Sequence, residues 1–246
     1  MGELKKRTAI ILAAGFGSRL AGTVDETSIK PLTPVAGTPL IFRTLNVLKK
    51  TGHNHVVIVL GHQNLKIEQA INEHYGEKLT ITFTYNDKYH LKNGISVLAA
   101  KEYVEDTFTL TMADHILQES LLEKASTHTP PEGGATLLVD YDIEGVFDLD
   151  DATKVYSENN EIQNIGKQIK EYNCIDTGVF VCTTGLMKEL EKVYNKHGDA
   201  SLSDGVKSLA DKNLMHTLDI GDSFWQDVDT PEMLKHAEEK IEAGYA

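Results

Sequence analysis

Apolar runs alternate with amphipathic segments over the first half of the chain. Apolar runs of strand length predict strands at residues 8–13, 56–60, 79–85 and 108–112. Segments with apolar residues at helical spacing predict helices at residues 40–50, 64–75 and 94–104. This alternation predicts right-handed crossovers, a mostly parallel sheet of the Rossmann-like α/β class, and helices on both faces of the sheet.

Local signals mark both ends of one of these helices and the start of a later one. Thr38 followed by Pro39 predicts an N-cap and the first residue of a helix. Gly52 predicts the end of the same helix, because glycine readily adopts the left-handed backbone that closes helices. Pro231 predicts the start of a last helix at residues 231–243.

The pattern changes after about residue 133. Short strand-like runs with little helix between them predict strands at residues 135–139, 152–156, 162–165, 175–181 and 217–220. Two further helices are predicted at residues 184–194 and 203–210. We therefore expect one domain over residues 1–246. Its second half, residues 133–246, would fold as a small β-rich lid over the crevice at the strand ends, where ligands bind in open α/β sheets.

Composition indicates an ordinary soluble protein that does not bind nucleic acid. The 246 residues include 41% hydrophobic and 25% charged residues, and no apolar window is long enough to span a membrane. A polar start without a signal-peptide pattern leads us to expect a cytoplasmic location. The net charge of −13 argues against contacts with nucleic acid or anionic membranes. Cys174 and Cys182 lie in strand-like runs, so we expect buried thiols rather than a disulfide.

A glycine-rich turn follows the first predicted strand, from Leu12 to Leu20. Its small residues let backbone N–H groups approach phosphate oxygens, and Arg19 adds a permanent positive charge. Lys30 follows closely, and Pro31 restricts the backbone beside it. The turn matches neither a P-loop nor the dinucleotide fingerprint. We predict a phosphate site here; the alternative is a plain surface turn.

Three aspartates are candidates to bind Mg²⁺. Asp114 ends an apolar strand, so its carboxylate is expected to point into the crevice. Asp227 and Asp229 are two positions apart on an extended segment, and both side chains would therefore face the same side. Magnesium prefers a few carboxylates together with phosphate oxygens and water. The alternative for Asp227 is a cap of the helix at Pro231, a position that Asp229 or Thr230 fits better.

These motifs resemble those of a known enzyme family. Residues 12–20 and 30–32 read L-A-A-G-F-G-S-R-L and K-P-L, which resembles the signature of the sugar-phosphate nucleotidyltransferase superfamily. Within this superfamily, the chain resembles the branch of CTP:inositol-1-phosphate cytidylyltransferases at the segments 85–86, 93–98, 110–115, 152–155, 165–167, 176–180 and 225–232. The resemblance covers nearly the whole chain, and it implies a GT-A-like nucleotidyltransferase fold with a nucleotide-binding half at residues 1–132 and an acceptor-binding half at residues 133–246.

The resemblance implies a reaction between CTP and a phosphorylated alcohol, foremost inositol-1-phosphate, that releases a CDP-alcohol and pyrophosphate. The acceptor's phosphate oxygen would attack the α-phosphorus in line, without a covalent enzyme intermediate, while Mg²⁺, Lys30 and Arg19 neutralise charge. We expect Lys30→Ala to lower turnover far more than stability. A separate membrane CDP-alcohol phosphotransferase, acting in the synthesis of phospholipids or compatible solutes, is the partner that this reaction implies.

The family pattern also suggests binding residues in each half. The nucleotide would contact Leu12, Ala13, Ala14, Gly15, Gly17, Ser18, Asn93, Gly94, Ser96 and Asp114. The acceptor would contact Lys154, Lys167, Asp176, Thr177 and Gly178. Plainer alternatives are a helix cap for residues 93–96 and solvated surface charges for the two lysines. For His115 we favour a role in supporting the neighbouring site residues or in packing, and we expect Trp225, the single tryptophan, to be a core residue that supports the Asp227 segment.

Rival functions remain open at this point. The acceptor could be phosphocholine, an aminophosphonate, glycerol phosphate or a hexose-1-phosphate, although no aromatic box for choline is evident around Tyr89, Tyr103 and Tyr172. The preference for CTP depends on the resemblance alone, and the sequence does not indicate an oligomeric state. A non-catalytic nucleotide-binding module is the alternative of another class. Lys30, Asp114 and Asp227 favour the enzyme over this alternative.

Overall fold

A nine-stranded sheet organises the chain. The computed structural model describes residues 7–15, 29–75 and 79–245. From one edge to the other, the strands are β5 (Thr80–Tyr85), β4 (His55–Leu60), β1 (Thr8–Ala13), β6 (Phe108–Met112), β11 (Cys174–Cys182), β8 (Ala135–Asp140), β12 (Met215–Asp219), β10 (Glu161–Gly166) and β9 (Lys154–Glu158). In the described ranges the α-helices are α1 (Leu40–Lys50), α2 (Asn64–His74), α3 (Gly94–Ala99), α4 (Glu119–Thr127), α5 (Thr184–His197), α6 (Leu202–Ala210) and α7 (Pro231–Glu242).

The first four strands form the parallel part that the sequence predicts. β1 pairs in parallel with β4 on one side and with β6 on the other. The strand order reverses at β1, because the chain runs outward through β4 and β5 before returning to β6. Ligands bind at such switch points, outside the carboxyl ends of the strands. Ala14 and Gly15, which follow β1, and Asp114, which follows β6, are therefore at the expected edge of the sheet.

The second half extends the same sheet with antiparallel strands. β11 is antiparallel to both β6 and β8, and β9 and β10 pair antiparallel at the far edge. The register of β11 against β8 shifts between Asp176 and Phe180, and Gly178 within this stretch has φ +74°. A left-handed glycine is characteristic of such a bulge, which bends a strand and redirects its side chains. The α/β fold class is thus confirmed, and the strands of the second half continue the same sheet.

Both faces of the sheet carry helices. Alternate residues of β1 enter opposite cores: Ile10 and Leu12 pack on the face covered by α3, α5 and α6, whereas Ala9 and Ile11 pack on the face covered by α1, α2 and α4. All four side chains are buried. Burial of one aliphatic side chain of this size contributes about 1.5–3 kcal/mol, so the two faces fix β1 and the loop that follows it.

A short antiparallel ribbon joins two distant parts of the chain. β7 (His115–Leu117) pairs with β13 (Trp225–Asp227), and His115 stands opposite Asp227. The backbone N–H of Val228 donates to the carbonyl of Asp114 at 2.9 Å. The carboxylates on either side of this ribbon therefore have a fixed spacing. A second small ribbon, β2 (Pro34–Val35) with β3 (Thr38–Pro39), precedes α1.

Three details differ from the sequence predictions. Thr38 does not cap α1: it pairs in β3, and Pro39 is the N-cap residue without a side-chain cap. The helix predicted at residues 94–104 ends at Ala99 and continues as a 3-10 turn, Lys101–Tyr103. Helix α4 was not predicted, because its nine residues contain only a short apolar stripe, and Gln118 at its start makes no side-chain cap.

The structure also describes the two cysteines and the lengths of the helices. Cys174 and Cys182 are buried and not linked to each other by a disulfide, as their strand context predicts. Among residues 7–15, 29–75 and 79–245, none of the helices has the length and apolar character that crossing a membrane requires.

Candidate functional site

A cavity of about 400 Å³ opens at the carboxyl ends of β1 and β6. It continues to the bulge of β11 and to the segment that precedes β9. Residues that the sequence suggested and that line it are Leu12, Ala14, Gly15, Asn93, Ser96, Asp114, Lys167, Asp176, Gly178, Asp227 and Asp229. The structure thus brings both predicted binding halves to one cavity. Gly17, Ser18 and Arg19 are outside the described residues.

Lys30 is next to this cavity as a buried cation. It begins a 3-10 turn, Lys30–Leu32, with Pro31 in its first turn, and its side chain is only 8% exposed. Its ammonium donates to Asp114 at 2.5 Å and also to Asp229. Burial alone would lower the pKa of Lys30, but the two carboxylates raise it above its usual value. The ammonium is therefore held charged between two carboxylates.

Asp114 stays ionised for the complementary reason. Burial opposes its negative charge, but Lys30 and the imidazole of His115 together hold the pKa of Asp114 well below its usual range. One carboxylate oxygen accepts from Lys30 and the other is 2.7 Å from Nδ1 of His115. Both oxygens are thus held by different side chains, which fixes the plane of the carboxylate.

Asp227 and Asp229 both face the cavity, as their spacing predicts. Val228 between them is fully buried on the opposite side. Burial raises the pKa of Asp227, and the nearby carboxylates of Asp229 and Asp114 raise it further. The helix-cap alternative is wrong, because the hydroxyl of Thr230 accepts from the N–H of Met233 and caps α7.

His115 and Trp225 form a wall between the aspartates and the bulge. Their rings stack with centroids 6.4 Å apart and an interplanar angle of 21°. The indole N–H of Trp225 donates to Asp140 at 2.8 Å. Trp225 packs against the core and also lines the cavity, so the expectation of a core residue describes only part of its role. A single tryptophan in a sequence shows no periodicity that would assign it to a wall.

Only some of the residues predicted to bind the nucleotide line the cavity. Ala13 faces the opposite side of the sheet from Leu12 and Ala14, because side chains alternate along β1. Gly94 is a packing position that does not line the cavity, because a Cβ there would be 2.5 Å from the carbonyl oxygen of Ala200; the structure therefore does not support its predicted contact with the nucleotide. Asn93 and Ser96 do line the cavity.

Two side chains of that half are oriented by hydrogen bonds. Asn93 accepts at 2.9 Å from the N–H of Leu202, the first residue of α6, and it makes no side-chain cap of α3. Ser96 accepts from the amide of Asn86 at 2.9 Å. The amide nitrogen of Asn93 and the hydroxyl hydrogen of Ser96 are still available to donate into the cavity.

Two predicted acceptor contacts are corrected by the structure. The ammonium of Lys154 donates to the carbonyls of Leu149, Asp150 and Ala152, at 2.6, 3.2 and 3.2 Å. An ammonium has three hydrogens, so these contacts use its full capacity, and Lys154 holds the segment before β9. Thr177 is fully buried, and its hydroxyl donates to the carbonyl of Leu138 in the neighbouring strand β8.

Lys167 and Asp176 do lie on the acceptor side of the cavity. Lys167 is half exposed and pairs with Asp151 at 2.7 Å. Asp176 accepts from the N–H of Gly178 at 2.7 Å, and burial raises the pKa of Asp176 to about 6. This end of the cavity therefore offers one cation and several hydrogen-bond acceptors.

Sequence reasoning missed part of the wall. The missed polar residues come from the irregular segment before β9 and from the start of α6, and they are Asp148, Asp151, Thr153 and Ser203. The missed apolar and aromatic residues are Tyr89, Leu91, Met112, Val146, Ile165, Phe180, Leu202 and Val206. Irregular segments have no period, so only the cluster of aspartates at residues 148–151 could have drawn attention to them.

The described residues do not form a metal site complete in itself, because no three or more of their His, Cys, Asp and Glu side chains group suitably. Magnesium rarely needs such a group, since one or two carboxylates with phosphate oxygens and water suffice. Asp114 and Asp227 fit that requirement. Burial and the nearby carboxylates raise the pKa of Asp227, and a divalent cation would offset the negative charge that accumulates there.

Comparisons with known proteins agree with this geometry. The chain is 34% identical over 230 residues to a protein named bifunctional IPC transferase and DIPP synthase from Thermococcus kodakarensis, covering 93% of this chain and 49% of the relative. It is 32% identical over 236 residues to the protein of the same name from Archaeoglobus fulgidus, covering 96% and 44%. The chain thus spans about half the length of these relatives.

A solved structure shares the fold over nearly the whole chain. The inositol-1-phosphate CTP transferase from T. maritima superposes with a TM-score of 0.83 and 28% sequence identity, and the match covers 98% of each chain. Nucleotidyltransferases of this kind generally use a divalent metal. The profile of the family described as MobA-like NTP transferase domain matches residues 9–209. The chain therefore belongs to the MobA-like NTP transferase family, whose members are nucleotidyltransferases.

Proposed function

We propose that this protein is a magnesium-dependent cytidylyltransferase that joins CTP to inositol-1-phosphate and releases pyrophosphate. The observation that carries the proposal is the Lys30 ammonium, held between Asp114 and Asp229 at one end of a cavity whose other end is polar. The names of the relatives and of the solved structure support CTP and inositol phosphate as substrates.

Lys30 would neutralise charge on the triphosphate. Charge increases on the phosphoryl oxygens during in-line displacement, and a fixed cation in a buried site stabilises that charge without reorganisation. Gly15 lies on the cavity wall directly after β1, where a backbone without Cβ lets phosphate approach closely. Arg19, with Gly17 and Ser18, remains a proposed contact of the same phosphates.

Mg²⁺, when bound with the triphosphate, would supply further charge neutralisation. We assign its protein ligands to Asp114 and Asp227 and give Asp229 the task of holding Lys30, since Asp229 pairs with that ammonium. Asp114 pairs with the same ammonium, but each carboxylate oxygen has a second lone pair available for a metal.

The acceptor would occupy the polar end of the cavity. Lys167 can bind its phosphate, and the carboxylates of Asp148 and Asp176 can accept hydrogen bonds from the hydroxyls of a cyclic polyol. Aligning acceptor and triphosphate in one cavity turns their encounter into an intramolecular step. We further propose that the reaction takes place in the cytoplasm and that a membrane CDP-alcohol phosphotransferase uses the product.

Pyrophosphate release tests the function directly. The four common nucleoside triphosphates would each be paired with inositol-1-phosphate, phosphocholine, an aminoalkyl phosphonate, glycerol phosphate and glucose-1-phosphate. The highest rate is expected for CTP with inositol-1-phosphate. A higher rate with another acceptor would replace the acceptor only, whereas the absence of release with every pair would favour the non-catalytic binding module.

Asp227→Asn is expected to raise the Mg²⁺ concentration for half-maximal turnover by about tenfold or more, because one of few carboxylate ligands is lost. Asp229→Asn should instead lower turnover with a smaller change in the Mg²⁺ requirement, because Asp229 contacts Lys30. Magnesium titrations of the two variants and of the exposed control Asp106→Asn check this assignment. Equal Mg²⁺ requirements for Asp227→Asn and the wild-type enzyme would contradict it.

The two lysines of the second half should differ in effect. Lys154→Met removes a buried ammonium and leaves its three carbonyl contacts unmade, so the free energy of unfolding should fall by about 1–3 kcal/mol. Lys167→Met removes only a half-exposed ion pair, which changes stability by about 1 kcal/mol or less, but it should raise KM for the acceptor about tenfold. Urea unfolding and steady-state kinetics measure both effects. An unchanged KM in Lys167→Met would exclude Lys167 from acceptor binding.

A further inference from the structure

His115 has a place in the cavity that packing alone does not require. It follows Asp114 directly and begins β7, where its backbone pairs with Asp227 of β13. Its side chain is 12% exposed and lies on the cavity wall. It is thus adjacent in the chain to one proposed metal carboxylate and opposite the other in the ribbon.

The imidazole makes one directed contact with Asp114. Nδ1 of His115 is 2.7 Å from Oδ1 of Asp114, while Oδ2 accepts from Lys30. Without the histidine, Lys30 would be the remaining side-chain partner of this carboxylate among the described residues, and the carboxylate could rotate more freely about its Cβ–Cγ bond. With the histidine, each carboxylate oxygen has its own side-chain partner, and these two contacts set the plane of the carboxylate.

The ring itself is held on two further sides. Trp225 stacks on it with an interplanar angle of 21°. Gly178, at the bulge of β11, lies so close that a Cβ there would be 2.5 Å from Nε2. Glycine at this point leaves room for the imidazole, and tryptophan prevents it from tilting. A bulge, a glycine and the single tryptophan therefore together fix one orientation of the imidazole ring.

We propose that His115 is a positioning residue that aims the carboxylate of Asp114 at the metal through Nδ1. The inference rests on the proposed function, because it needs a metal bound with the triphosphate. Groups that orient ligands in this way typically change metal affinity by about 10- to 100-fold when removed.

Two amide substitutions separate positioning from packing. The side-chain nitrogen of asparagine can occupy the place of Nδ1, whereas that of glutamine reaches the place of Nε2. His115→Asn should therefore keep the contact with Asp114, and His115→Gln and His115→Ala should lose it. A role in packing alone would make the longer glutamine the better replacement.

Manganese binding provides a readout that does not need turnover. Mn²⁺ would be titrated into enzyme with CTP and no acceptor, and binding followed by quenching of the fluorescence of Trp225, the only tryptophan. We expect Mn²⁺ affinity to fall about 10- to 100-fold in His115→Gln and His115→Ala, and by less than about threefold in His115→Asn. KM for the acceptor should change little. The exposed His74→Ala is the matched control.

The outcomes of this titration are distinct. Equal Mn²⁺ affinity in wild-type, His115→Gln and His115→Ala enzyme would overturn the positioning role, and so would a tighter affinity in glutamine than in asparagine. If the wild-type enzyme with CTP binds no Mn²⁺, the metal site of the proposed function fails and this inference fails with it. Should His115→Ala not fold, the comparison of asparagine with glutamine still decides.

Discussion

Replacing Lys30 with alanine should lower turnover by about 100- to 1,000-fold, the usual cost of removing one fixed group that stabilises charge in the transition state. Lys30 is the buried cation beside the cavity, and its loss leaves Asp114 and Asp229 without the ammonium that both contact. The triphosphate would then approach two carboxylates instead of a neutralised cluster. Pyrophosphate release under saturating CTP and Mg²⁺ measures the effect.

Stability should also fall in this variant, in a pH-dependent way. Lys30 keeps the pKa of Asp114 below its value in the unfolded chain, and a depressed pKa contributes stability above the unfolded pKa of about 4. This contribution disappears as pH falls through the folded pKa. The difference in unfolding free energy between the wild-type protein and Lys30→Ala should therefore be larger at pH 7 than at pH 3.5, as urea titrations can show.

A surface lysine provides the control for this prediction. Lys50 pairs with Glu119 at 3.3 Å, but both side chains are mostly or half exposed. Lys50→Ala should leave turnover and stability almost unchanged, because exposed ion pairs contribute about 0–1 kcal/mol. Turnover within about twofold of wild type in Lys30→Ala would remove Lys30 from the reaction.

Gly178→Ala should lower turnover by about 10-fold or more, although only one methyl group is added. Gly178 has φ +74°, where alanine is strained by about 1–2 kcal/mol. The added Cβ would also be 2.5 Å from Nε2 of His115, so the imidazole must leave the position in which it contacts Asp114. The variant should therefore need more Mg²⁺ as well as unfold at lower temperature.

Gly198 offers a matched comparison at the same backbone angle. It also has φ +74°, as the C-cap of α5, but a Cβ there meets nothing within 4 Å. Gly198→Ala should show the strain alone, with a loss of about 1–2 kcal/mol in unfolding free energy and wild-type turnover. Thermal unfolding and turnover of both variants separate strain from collision. Equal turnover in Gly178→Ala and Gly198→Ala would show that the contact with His115 is irrelevant to activity.

The edge of the sheet where ligands bind could be predicted from the sequence, because apolar strands are readable and parallel strands end at one edge. Gly15 and Asp114 were found this way. Asp227 and Asp229 were predicted to share a side, since side chains alternate along extended backbone. These predictions needed only local patterns. In the structure Val228 is buried, whereas Asp227 and Asp229 on either side of it line the cavity.

The direction of a side chain in an irregular region could not be predicted. Lys154 is a lysine beside a predicted strand, and nothing local indicates that its ammonium turns back onto three carbonyls. Thr177 was expected to contact the acceptor together with Asp176, but adjacent residues of a strand face opposite sides, and its hydroxyl instead donates to the carbonyl of Leu138. Trp225 lines the wall because β13 pairs with β7, a contact between distant segments.

The ion pair between Lys30 and Asp229 spans 199 positions of the chain. During synthesis, the parallel strands and Lys30 emerge long before the segment that carries β13. Asp229 reaches Lys30, and Asp227 reaches the cavity, only when that segment pairs with β7. On the proposed function, a polypeptide that stops short of β13 would lack one proposed metal ligand and one partner of Lys30.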